Sequence, residues 1–72
     1  MRLPSPSLLK YLRKEYPSGT RIELINMDDP QAPPSGTQGK VIAVDDMAQI
    51  LVSWDTGSSL SVIYGKDSIK KI

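Results

Sequence analysis

Apolar residues near the N-terminus recur at the spacing of one helical face, at Leu8, Leu9, Leu12 and Tyr16. Ser5 is suited to cap this helix, and Pro6 to occupy its first position, where a missing N–H costs nothing. Pro17 and Gly19 favour a turn after the stripe. The pattern predicts a helix over about residues 6–16. Because so short a helix is marginal alone in water, we expect it to pack on the rest of the chain.

After residue 20 the apolar period changes to two, which is typical of strands with one face on a core. Five segments follow this pattern, at residues 20–25, 38–45, 49–54, 59–63 and 68–72. The first connection, residues 26–36, is long and contains three prolines, whereas the later ones read as short turns. The inward positions predict a core made of Ile22, Leu24, Val41, Ile50, Val52, Trp54, Leu60 and Val62.

Five short strands at roughly ten-residue spacing predict a mainly β fold, a five-stranded SH3-like barrel with a short N-terminal helix. One long loop followed by hairpins suits this barrel, and an OB-fold is the alternative. A chain of 72 residues has room for one domain. We expect residues 1–7 to form a tail and residues 8–72 to form a single domain that includes the helix.

Composition narrows the classes of function. The chain has no cysteine and no histidine, which excludes thiol nucleophiles, Ser-His-Asp triads and Cys/His zinc sites. The glycines lack the spacing of phosphate-binding loops. No apolar run has the length of a membrane span. We therefore expect a cytoplasmic, non-enzymatic protein with no metal, no cofactor and no membrane partner.

The net charge of +1 hides an uneven distribution. Five basic residues against one acidic residue give +4 in residues 1–21, and one against six gives −5 in residues 22–65. Three against one give +2 in residues 66–72. The acidic middle favours a basic or proline-bearing partner, whereas the basic ends favour phosphates.

The long loop is the first candidate binding site, because binding sites favour loops carried by a rigid scaffold. It combines carboxylates, a methionine and prolines, and Tyr64 after the fourth strand is placed to share its groove. The candidate residues are Met27, Asp28, Asp29, Pro30, Pro33 and Tyr64. The alternative is structural, with prolines that stiffen the loop and aspartates that cap turns here and at Asp45-Asp46.

Basic residues form the second candidate surface, which would contact DNA or RNA phosphates. They are Lys10, Arg13 and Lys14 on the helix and Lys66, Lys70 and Lys71 near the C-terminus. The alternative is an ordinary solvated face. We predict a protein-binding module with an unidentified protein or peptide partner, and nucleic-acid binding as the alternative function. Association of the chain with itself stays open.

Several segments of the chain resemble one bacterial family, the 4314 family of domains of unknown function. They include YPSGTRIEL (16–24), MDDPQAPPSGTQGKV (27–41), VDD (44–46), WDTGSSL (54–60) and YGKDS (64–68). The resemblance covers about residues 9–72 and implies an SH3-like barrel without an established activity. The family is common in Firmicutes, often near phage or conjugative-element genes. Residues 36–41, GTQGKV, are also similar to the KOW motif of ribosomal and transcription-elongation barrels, which allows RNA binding.

Overall fold

The computed structural model describes residues 4–72, which form one helix and five strands. The elements are α1 (Pro6–Glu15), β1 (Arg21–Asn26), β2 (Gln38–Val44), β3 (Gln49–Trp54), β4 (Val62–Ile63) and β5 (Ser68–Lys71). The strands form one antiparallel sheet in the order β4-β3-β2-β1-β5. The prediction of a mainly β fold with one short N-terminal helix is therefore confirmed.

The sheet is open, so the closure of an SH3-like barrel is not found. Within residues 4–72, β4 and β5 form the two edges of the sheet and do not pair with each other. The fourth strand was predicted over residues 59–63 but contains only Val62 and Ile63, opposite Ile50 and Gln49. The third connection, residues 55–61, is correspondingly longer than the predicted hairpin.

The segment before β4 is hydrogen-bonded to Trp54. The Trp54 indole N–H donates to the carbonyl of Leu60 at 2.9 Å, and its backbone N–H donates to the carbonyl of Ser58 at 2.9 Å. Residues 58–61 are thus tied to Trp54, and the regular pairing of β3 with β4 is limited to Gln49 with Ile63 and Ile50 with Val62. Leu60 itself is only partly buried and packs at the margin of the core, where the alternation predicted an inner position.

Two irregularities curve the sheet around its core. The pairing of β2 with β3 shifts between Val41 and Ala43, and the pairing of β1 with β5 shifts between Leu24 and Asn26. Such bulges bend a strand and increase its twist. The register of β2 with β1 runs over residues 38–40, and at the other end of β2 the Val44 carbonyl accepts from Arg13 of α1.

The core lies between the concave face of the sheet and the helix. Seven of the eight core residues expected from the alternation are buried, Leu60 being the exception, and Leu12, Val44 and Ala48 are buried with them. Trp54 is 2% exposed and lies against the backbone of Gly39. A methyl group at Gly39 would lie 2.8 Å from the Trp54 ring, so only glycine leaves room for the indole.

The helix forms where its caps and apolar spacing predict it. The backbone N–H of Leu8 donates to the Ser5 hydroxyl at 3.1 Å, and Pro6 is the first helical residue. The helix thus begins inside the segment expected to be a tail, of which residues 1–3 lie outside the described residues. Leu12 is its one fully buried residue, and no helix within residues 4–72 has the length and apolarity to cross a membrane.

An ion pair crosses the outer face of the sheet from β1 to the residue that follows β3. The guanidinium of Arg21 donates to Oδ1 of Asp55 at 3.1 Å and to Oδ2 at 2.6 Å. This bidentate geometry is the stronger form of an arginine–carboxylate pair. The hydrogen bond from Arg21 lowers the pKa of Asp55 and outweighs the opposing effect of desolvation.

We expect the contribution of Asp55 to stability to be lost in acid. Because the folded pKa is lowered, the contribution is complete above the ordinary aspartate pKa of about 3.9 and disappears as the pH falls below it. Thermal unfolding from pH 7 to pH 2 should show Asp55→Asn melting below the parent near neutrality and converging with it in acid. Asp28→Asn changes an exposed carboxylate and is the control, which should melt at the same Tm as the parent chain. A Tm difference for Asp55→Asn that stays constant with pH would contradict the assignment.

Candidate functional site

The long loop between β1 and β2 is held by hydrogen bonds at its tip and at its base. At the tip, Oδ1 of Asp29 accepts the backbone N–H of Gln31 at 2.8 Å. At the base, Gly36 N–H donates to the Leu24 carbonyl at 2.7 Å, and Leu24 N–H donates to the Thr37 carbonyl at 2.8 Å. The structural and the binding interpretation of the loop are therefore compatible, because the loop is held by hydrogen bonds and still exposes side chains at its tip.

The candidate residues of the loop fall into two groups. Asp28, Asp29 and Pro30 are exposed at its tip. Met27 is half-buried and packs against the core, and Pro33 is buried. Pro33 is therefore not presented to a partner, which corrects the prediction that it lines the binding surface. The accessible part of the predicted site is the tip that begins at Asp28.

Tyr64 projects from a braced turn beside this loop. The backbone N–H of Ile63 donates to Oδ2 of Asp67 at 2.9 Å, and Asp67 N–H returns a bond to the Ile63 carbonyl at 2.9 Å. The next residue, Ser68, pairs with Asn26, the last residue of β1. This rung places the end of the Tyr64 turn next to the beginning of the long loop. Tyr64 itself is 45% exposed.

The ring of Tyr64 also packs on the helix, a contact that the sequence pattern did not predict. Its centroid lies 6.2 Å from that of Tyr11 in an edge-to-face arrangement with an interplanar angle of 62°. The third tyrosine, Tyr16, lies under the Lys71 ammonium, 5.3 Å from the ring centroid. Interaction with Tyr64 raises the pKa of Tyr11, and burial followed by Tyr64 raises the pKa of Tyr16. Both shifts favour the neutral phenol, so Tyr11 and Tyr16 stay uncharged near pH 7.

The six basic candidate residues divide equally between paired and unpaired side chains. Arg13 lies 2.9 Å from Asp46, Lys70 lies 3.5 Å from Glu23, and Lys71 lies 3.6 Å from Glu15. Lys10, Lys14 and Lys66 make no ion pair with any residue in the range 4–72. The predicted basic surface is thus partly neutralised on β5 and on one flank of α1.

The remaining aspartates serve local structure. Oδ1 of Asp45 accepts the backbone N–H groups of Met47 and Gln49, both at 2.9 Å. Together with the bond from Gln31 to Asp29, this confirms the predicted turn caps at Asp29 and Asp45. In the described residues no backbone N–H donates to the side chain of Asp28 or Asp46, and Asp46 pairs with Arg13 instead. Across the described part of the chain, no group of three or more aspartates or glutamates is placed to hold a metal ion.

An open groove between the end of α1 and the second half of β2 was missed by the sequence analysis. Its volume is about 340 Å³, and its lining comprises Arg13, Tyr16, Pro17, Ser18, Ile42, Ala43 and Val44. Arg13 borders the groove and donates to the Val44 carbonyl at 3.4 Å. The available signal was the unbroken apolar run at residues 41–44, which departs from strict alternation and marks the bulge.

Comparison with known proteins adds family membership to this geometry. No curated protein and no solved structure matches the chain. A family model described as a domain of unknown function, DUF4314, matches residues 5–72. The match begins four residues before the start of the resemblance noted from the sequence, and it includes the helix cap at Ser5. The chain therefore belongs to the DUF4314 family.

Proposed function

We propose that this chain is a non-enzymatic module that binds a segment of a partner protein. The binding surface comprises the exposed loop tip and the neighbouring tyrosine, here called the loop–turn surface: Asp28, Asp29, Pro30 and Tyr64. The observation that carries the proposal is the rung between Asn26 and Ser68, which brings the two segments together at one end of the sheet.

The loop–turn surface is already ordered before any partner arrives. Asp29 caps the loop tip and Asp67 braces the Tyr64 turn, each through a backbone N–H. A surface held in its binding conformation loses less entropy on association. Tyrosine offers a large apolar ring with a polar end, and it is enriched among residues that dominate binding energy.

The charge of the loop tip favours a basic or proline-bearing segment. Asp28 and Asp29 are adjacent and exposed, and neither is in an ion pair within residues 4–72. Complementary charge across an interface steers association and selects among partners. A proline-bearing segment suits the Tyr64 ring, because a stiff extended chain docks on aromatic rings at low entropic cost.

The SH3-like character of the fold belongs to the same proposal. We propose that the sheet is an SH3-like barrel left open between β4 and β5. The strand order and the long first loop support this relationship. A bacterial setting near mobile elements is proposed on the family resemblance alone, and a cytoplasmic one on the composition. The assignment as a non-enzyme is supported by the use of Asp29 and Asp45 as turn caps.

Backbone NMR of the full chain, titrated with a set of short arginine-, lysine- and proline-bearing peptides, tests the proposal. We expect shifts at residues 27–32 and 64–67, and none with peptides whose basic residues are replaced by glutamate. Asp28→Asn should weaken binding about fivefold, since it removes one exposed charge contact. Asp46→Asn removes a 92% exposed carboxylate from another turn, together with its ion pair to Arg13, and is the control for loss of one negative charge elsewhere. The proposal would be overturned if no peptide of the set shifted the resonances of the loop–turn surface. It would also be overturned if both variants lost the same binding affinity.

A further inference from the structure

The outer side of α1 carries aromatic and cationic groups that the loop–turn surface does not use. We propose that this side binds single-stranded nucleic acid through its phosphates and bases. The helix surface comprises Tyr11, Lys10 and Lys14 of α1, with Lys66 and Tyr64 of the adjoining turn. Tyr64 lies where the two surfaces meet, and the inference does not rest on the proposed peptide site.

Within residues 4–72, the three lysines of this surface make no ion pair. Lys10 and Lys14 are one helical turn apart, a spacing at which like charges repel and destabilise a helix. The one acidic residue of α1, Glu15, is engaged by Lys71 at 3.6 Å. On the turn, the carboxylate of Asp67 next to Lys66 accepts the backbone N–H of Ile63. A bound polyanion would relieve the repulsion between the two helix lysines, since its phosphates would neutralise both.

The aromatic part of the surface points to bases rather than to free phosphate. Tyr11 and Tyr64 are 48% and 45% exposed and meet edge to face. In this arrangement the ring that contributes its edge keeps both of its faces free of the other ring. Bases stack on such faces without sequence preference, and flanking cations hold the backbone. Tyr11 and Lys14 are three residues apart on α1, so they lie on neighbouring rows of the same helix side.

The distribution of ion pairs separates this surface from the other basic residues of the chain. Arg13 on the opposite flank of α1 is tied to Asp46 and to the Val44 carbonyl, and Lys70 is tied to Glu23. A nucleic acid would have to break these pairs to use those side chains. The site inferred here is therefore smaller than the basic surface predicted from the sequence, and it gains two tyrosines.

Fluorescence anisotropy of a labelled oligothymidylate of about 12 nucleotides, titrated with the full chain, tests the inference. We expect a Kd of about 10–100 μM at about 50 mM salt, weakening steeply toward about 200 mM. The double variant Lys10→Gln/Lys14→Gln should weaken binding about tenfold. It should also reduce the slope of log K against log salt by about 1.4, because each phosphate contact on a single strand contributes about 0.7.

Matched variants separate this site from general attraction and from misfolding. Glutamine is as good a helix former as lysine, so the double variant keeps its fold. Lys40→Gln removes one charge from the exposed outer side of β2, opposite Ser53, and should leave binding within about twofold. Tyr11→Leu keeps the apolar contact with Tyr64 and the helix, but it should weaken binding about tenfold through lost stacking.

Three results would overturn the inference. The first is absence of binding at about 1 mM protein and low salt, a concentration above the usual range of non-specific affinities. The second is equal weakening by Lys40→Gln and by the double variant. The third is binding of polyglutamate as tight as that of the oligonucleotide with no effect of Tyr11→Leu, which would assign the surface to an acidic protein. Asp28→Asn should leave oligonucleotide binding intact, so a failure of the proposed peptide site can be told apart from a failure of this nucleic-acid site.

Discussion

Replacing Trp54 with alanine is expected to lower the free energy of unfolding by about 3–5 kcal/mol. The indole is 2% exposed, fills the space over Gly39 and donates to the Leu60 carbonyl. Alanine would leave a cavity where the largest fully buried side chain stood, and the Leu60 carbonyl would lose its hydrogen bond from the indole. Since small domains have only about 5–15 kcal/mol of stability, this loss brings the chain close to unfolding at room temperature.

Urea denaturation followed by far-UV circular dichroism measures this effect, because the variant lacks the tryptophan that fluorescence would report. Trp54→Phe is the milder comparison, since it removes the hydrogen bond and part of the ring volume. It keeps most of the ring in place and should cost about 1–2 kcal/mol through the smaller volume and the lost indole N–H. An alanine variant with the stability of the parent chain would show that Trp54 does not support the core.

Replacing Leu12 with alanine is the second large expected effect, a loss of about 2–5 kcal/mol. Leu12 is 0% exposed and is the residue by which α1 enters the core. Alanine is the best helix former, so the loss reports packing of the helix on the sheet and not formation of the helix itself.

The matched control for Leu12 lies on the solvent side of the same helix. Lys10→Ala changes an exposed residue and should stay within about 0.5 kcal/mol of the parent chain. Thermal and urea unfolding of both variants, followed by circular dichroism, measures the difference. If Leu12→Ala unfolds at the same temperature and urea concentration as the parent chain, the helix is not a structural part of the domain. Its apolar stripe would then be available to a partner.

The local features of the fold could be predicted because they depend on neighbouring residues. Alternation of side chains identified the inner positions of β1 and β3, such as Ile22 and Val52, since period two follows directly from strand geometry. The helix start followed from the cap chemistry of Ser5 and Pro6. The turn caps at Asp29 and Asp45 followed from the habit of aspartate to accept backbone N–H groups.

The candidate site was only partly accessible to this reasoning. The loop tip and Tyr64 were proposed from local signals, a long loop on a small scaffold and an aromatic residue after a strand, and both are exposed. The burial of Pro33 and the pairing of Tyr11 with Tyr64 were not, since both depend on residues distant in the chain. The same holds for Arg13, whose partner Asp46 lies 33 positions away.

The amino-acid sequence by itself determined which segments become helix and strand, which side of each strand faces the core, and which family the chain belongs to. Tertiary structure decided that β4 and β5 remain the two edges of an open sheet and that β4 has two residues, because strand pairing joins segments distant in the chain. It also decided which charges remain free. Strand register joins Lys70 to Glu23 and helix packing joins Arg13 to Asp46, whereas Lys10, Lys14 and Lys66 are left beside two exposed tyrosines.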